Sequence, residues 1–140
     1  MKKLLVTFLF VSFLGVSFGL NPLKVMKKID RKTKKLDNCK CLSKVQEIDG
    51  NSVKFYYSKK RKLVKIIEKR VINGATAFRY FYFDEKTGGI LSVNLVGTIF
   101  YYYATDYFAI ISRDNYSEAE AEKKGLVLKG VAEGYVKSVK

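Results

Sequence analysis

Histidine is absent from this 140-residue chain, and tryptophan with it. Without an imidazole there is no Ser-His-Asp or Cys-His nucleophile system, no histidine proton shuttle and none of the usual catalytic zinc sets. Acid–base chemistry falls to carboxylates, lysines, tyrosines or thiols. The carboxylates are not arranged for it: Asp84 and Glu85 are neighbours in an expected turn and diverge, and Asp106 and Asp114 stand near strand ends without identifiable partners. The chain therefore reads as non-enzymatic, with no cofactor and no metal site. Any ring-stacking surface is left to Tyr and Phe, ten of each.

Acidic residues are scarce: 13, against 27 Lys and Arg, for a formal charge of +14. Residues 21–40 carry eight basic and two acidic side chains, and residues 54–70 eight and one, so these two segments hold nearly all the excess. Clustered cations of this kind gain from counterion release on polyanions and from attraction to anionic lipid.

Long apolar runs occur once. Lys2 and Lys3, an apolar stretch over residues 4–14, and small residues at Ser17 and Gly19 have the layout of a cleavable secretion signal over residues 1–19. A retained membrane anchor is the alternative, but Gly15, Ser17 and Gly19 interrupt the run and a polar segment follows at once. The reading is an exported chain, periplasmic or secreted, with residues 20–140 forming one small domain. Loss of Lys2 and Lys3 would bring the charge to +12.

Proline also occurs once. Asn21-Pro22 sets a cap residue before proline at the first helical position, where its missing N–H costs nothing. Leu23, Met26, Ile29 and Leu36 then recur at helical steps, with Thr33 between the last two, predicting an amphipathic helix that ends before Asn38. Its remaining surface is basic: Lys24, Lys27, Lys28, Arg31, Lys32, Lys34 and Lys35. With the turn Lys59, Lys60, Arg61 and Lys62 these residues form the candidate anion-binding surface. Outside the cytoplasm its expected partners are an anionic membrane surface or an acidic glycan rather than nucleic acid.

The two cysteines are Cys39 and Cys41. In an oxidising compartment such a pair is expected to be bonded, although bridging residues two apart requires a local turn. A clip between helix and sheet, or a bond to another chain, is the expected use. A redox role is the alternative.

From 42 to 112 the chain changes to short runs of β-branched and aromatic residues. Asp49-Gly50 and Asn73-Gly74 have the chemistry of tight hairpin turns, joining strands over 42–48 and 52–57 and over 63–72 and 76–83. Residues 59–62 and 84–89 form looser connections, and Gly97 and 104–106 punctuate the later strands. A weak repeat of aromatic strand, turn and aliphatic strand runs through Tyr56-Tyr57, residues 80–83 and residues 100–103. Its irregular spacing favours a meander over a solenoid. Between Lys86 and Arg113 the only charge is Asp106, but Asn94, Gly97, Thr98 and a tyrosine cluster argue for buried strands or an oligomer interface rather than a membrane span.

Ser117 and Glu120 match a capping box, with Lys123 and Lys124 ahead of Gly125 as a stop, predicting a short second helix. Residues 126–140 fit a final strand or a frayed helix equally well. The fold expected is α+β: an N-terminal amphipathic helix on an antiparallel meander of about six strands, with a short C-terminal helix. The rings at 80–83 and 101–103 fall on both sheet faces. One face is core, and the second is expected to be covered by the two helices. Left open, it would suit another exported protein, as an inhibitor or assembly subunit does.

Overall fold

The computed structural model describes residues 22–104 and 106–139 of the chain. The expected signal segment 1–19 lies outside the described residues, as does the expected cap Asn21. The order of elements is α1 (Pro22–Asp37), β1 (Leu42–Ile48), β2 (Asn51–Tyr57), β3 (Leu63–Ile72), β4 (Ala75–Phe83), β5 (Ile90–Leu95), β6 (Thr98–Tyr103), β7 (Asp106–Ser112) and α2 (Glu118–Ser138). The α+β class is as expected. Among the described residues the strands number seven, not six, and form one antiparallel sheet in sequence order.

Turn chemistry sets the register. Asp49 and Gly50 have φ of 51° and 81°, and Asn73 and Gly74 52° and 80°, the left-handed pairs that match the twist of two-residue hairpins. With these turns fixed, alternation divides the side chains into rows across the sheet. Phe55, Ile66, Phe81, Val93, Phe100 and Ile110 are successive cross-strand partners and make one continuous apolar row, all essentially inaccessible. On the opposite face Tyr56, Lys65, Tyr82, Ser92, Tyr101 and Ala109 form a second row.

Each face receives one helix, which corrects the expectation that both would cover the same face. Helix α2 lies on the apolar row through Ala121, Leu128, Ala132 and Tyr135. Helix α1 lies on the tyrosine row, burying Met26 and Ile29 against Tyr82, Leu91, Tyr101, Phe108 and Ala109. Leu23, expected in its apolar stripe, is 58% exposed, and Val25 packs instead. Burial of two such side chains is worth roughly 1.5–3 kcal/mol each. Cover on both faces explains the aromatic doublets: Tyr82-Phe83 and Tyr101-Tyr102 send one ring to each helix. Register shifts fall at Tyr56/Tyr57, Tyr82/Phe83 and Tyr101/Tyr102, so the repeated doublets coincide with bulges that accentuate twist at one end of the sheet.

The C-terminal helix is longer than expected. Ser117 and Glu120 form the capping box. The helix then runs 21 residues through Gly125, Gly130 and Gly134. Gly125 is not a stop. A Cβ there would lie 2.7 Å from the Tyr107 ring, so glycine is what lets helix and β7 approach. The Tyr102 hydroxyl donates to the Gly125 carbonyl at 2.7 Å in the same contact. Residues 90–112, the long weakly charged stretch, are the buried strands β5 to β7. Among the described residues no helix is long and apolar enough to cross a membrane.

Candidate functional site

The two acids of helix α1 are both bonded from the sheet: the Tyr101 hydroxyl donates to Asp30 at 2.8 Å, and Asp37 accepts from the Tyr82 hydroxyl at 2.8 Å and from Lys65 Nζ at 2.9 Å. Burial pushes the Asp30 carboxyl above the ordinary carboxylate range, partly opposed by the Tyr101 donation. Burial and the facing carboxylates raise both tyrosines, so they stay protonated donors. Of the expected site residues on the helix, Lys32 turns to the loop after β4 and pairs with Asp84 at 3.0 Å. Burial would raise Asp84, but the Lys32 ammonium and the Thr87 donors outweigh it and hold the carboxyl below its usual range. Lys24, Lys27, Lys28, Arg31, Lys34 and Lys35 are exposed. Asp30 and Asp37 remain exposed but are bonded from the sheet, and the cations of α1 outnumber its acids.

The second cationic segment is built by a small loop. Ser58 Oγ accepts from the backbone N–H of Lys60 and of Lys62, both at 3.3 Å, and Arg61 adopts φ of 63°. Lys59, Lys60, Arg61 and Lys62 are all exposed. Lys65, just beyond this loop, bonds Asp37 at the end of α1, so helix terminus and loop share one end of the sheet. Cations also lie over rings nearby: Lys54 and Lys65 stand 5.3 and 5.0 Å from the Tyr56 ring centre.

Beside α1 is a cleft of about 400 Å³ floored by Ile29, Ile90, Leu91 and Tyr102, with Lys28 and Lys32 among its lining residues. Asp84, paired with Lys32, lines the same cleft, so Lys28 is the lining cation outside that pair. Cys39 and Cys41 follow in a bend, their Cα atoms 5.4 Å apart and their sulfurs at disulfide distance. The Cys39 N–H donates to the Leu36 carbonyl, closing the turn that leads from α1 into the pair.

Two features escape sequence reasoning. The first is a buried polar cluster. Glu68 on β3 is inaccessible on the face covered by α2, where Arg79 donates to it at 2.5 and 2.9 Å and the Tyr135 hydroxyl donates as well. Burial opposes the charge, but Arg79, Tyr135 and Arg70 together hold the Glu68 carboxyl below its usual range. The available signal was a lone acid in phase with Val64 and Ile66. The second is that α1 leaves part of its sheet face only partly covered. Val45, Lys54, Ile67 and Tyr80 form a row beyond the helix, with Phe78 39% exposed next to it.

The fold and this surface define a class: a small α+β domain with a helix on each face of a meander sheet and a cationic end. No protein-family model, curated protein or solved structure matches the chain.

Proposed function

We propose that this chain is a small exported, non-enzymatic binding protein that docks on an anionic surface, a phosphate-bearing membrane or an acidic glycan, through α1 and the 59–62 loop. The observation that carries the reading is the engagement of the acids of α1: Asp30 and Asp37, though exposed, are each bonded by a sheet tyrosine, while Lys27, Arg31, Lys34 and Lys35 are exposed around them. Export rests on the composition of residues 1–19 and accords with the paired cysteines.

Co-sedimentation with vesicles of anionic or neutral lipid tests it. Each cation near an anionic membrane contributes about 1 kcal/mol, so Lys27→Glu, Arg31→Glu and Lys34→Glu together should weaken binding to anionic vesicles by more than about tenfold. Unchanged binding by the folded triple variant overturns the site.

The partly covered row of Val45, Ile67 and Tyr80 favours one other reading, a protein-interaction module that uses the sheet face. Binding of that kind persists in high salt, whereas electrostatic docking weakens.

A further inference from the structure

The sheet ends differently on its two sides. Strand β7 is buried on both faces, its Phe108 and Ala109 packed with α1 and its Tyr107 and Ile110 with α2. Strand β1 pairs with β2 alone, and its side chains are exposed from Leu42 to Val45 and again at Glu47. Its pairing with β2 is regular over all seven residues, with no bulge, and the strand contains no proline. Natural edges are usually blunted by bulges, proline or charged side chains. On β1 only Lys44 and Glu47 are charged, one of each sign, and the backbone is free to template another strand.

Backbone geometry says which groups point outward. The two-residue turn makes Ile48 and Asn51 a mutually bonded pair, and alternation along an antiparallel ladder then turns the N–H and C=O of Ser43, Val45 and Glu47 away from β2. We propose that β1 pairs antiparallel with β1 of a second copy of this chain, about a two-fold axis at Val45. This register sets Ser43 against the partner's Glu47 and Val45 against the partner's Val45, so every outward group is used. Leu42, 66% exposed, meets the partner's Ile48, and Lys44 meets the partner's Gln46, so no like charges are opposed. Shifting the axis to Lys44 would set lysine against lysine.

Charge selects the same place. A chain of formal charge +14 repels its own copy over most of its surface, but residues 42–48 carry only Lys44 and Glu47 and are neutral. The two-fold axis stands perpendicular to the sheet, so both α1 helices lie on the same side of a continuous sheet. On the reading above, the pair would present two cationic helices to one surface, a gain in avidity without new contacts. The pairing itself does not depend on that reading.

Sedimentation across a wide concentration series tests it in solution. The expected result is a reversible dimer that Val45→Pro converts to monomer. Proline there removes only an outward N–H, so the fold, checked by circular dichroism, is retained. In a Cys39→Ser, Cys41→Ser background, Val45→Cys should cross-link copies under mild oxidation, because bonded antiparallel pairs place Cα atoms about 5.5 Å apart, within disulfide range. A monomer at every concentration overturns the proposal, and so does a dimer that Val45→Pro leaves intact.

Discussion

A single acid on the α2-covered face of β3 shows how one residue can anchor two elements. Glu68 receives Arg79 from β4 and Tyr135 from α2, so the carboxylate ties the sheet to the end of the helix. Removing one partner of such a buried pair is costly, because the other charge is left unpaired. Glu68→Ala should lose roughly 3–5 kcal/mol in urea unfolding, and Glu68→Met combined with Arg79→Met much less. The sign of the pH effect follows from the lowered Glu68 pKa. The stabilisation is present above the unfolded value, near 4.5, and is lost as pH falls through the folded value. Stability measured against pH should therefore drop more steeply in acid for the native chain than for the Met double variant. A parallel decline in both would rule out this carboxylate as the source.

At the scale of elements, α2 shows why periodicity alone left residues 126–140 open. Its buried stripe is Ala121, Gly125, Leu128, Ala132 and Tyr135, mostly small residues that carry a weak apolar signal. Leu126 and Val127, more hydrophobic by type, are 51% and 57% exposed and blur the pattern. Two glycines that look alike in sequence differ in space. A Cβ at Gly130 meets nothing within 4 Å, so Gly130→Ala should stabilise by about 0.5–1 kcal/mol from helix propensity. Gly125→Ala drives a methyl into the Tyr107 ring and should destabilise by about 1–3 kcal/mol. Thermal unfolding of the two variants reads the difference, and equal shifts would remove the close-approach account. Helix α1, in contrast, was legible almost in full, because Pro22 and the Met26–Ile29 step survive packing unchanged. Leu23, turned to solvent, Val25, which packs in its place, and Lys32, drawn to Asp84, depart from the expected pattern.

For the whole molecule the governing quantity is the distribution of charge. The cations at the end of α1 and in the 59–62 loop gather at one end of the sheet, while β1 remains neutral. Anionic vesicle binding should fall steeply as salt rises, since the screening length shrinks from about 10 Å at 0.1 M to about 3 Å at 1 M. Titration of bound fraction against ionic strength measures this, and a flat response would move the binding surface to the exposed apolar side chains Val45 and Phe78. The sequence by itself determined the features with local causes: the hairpin turns at Asp49-Gly50 and Asn73-Gly74, the strand alternation, the cap at Ser117, the amphipathic α1 and the two cationic segments. These depend on backbone sterics and on neighbours a few residues away. Only the tertiary structure decided that the helices take opposite faces, that Asp30 and Asp37 are bonded by sheet tyrosines, that Glu68 is shared, that Gly125 is a contact rather than a stop, and that β1 is left open. Each of those depends on which surfaces meet across tens of residues of chain, and no local pattern encodes that.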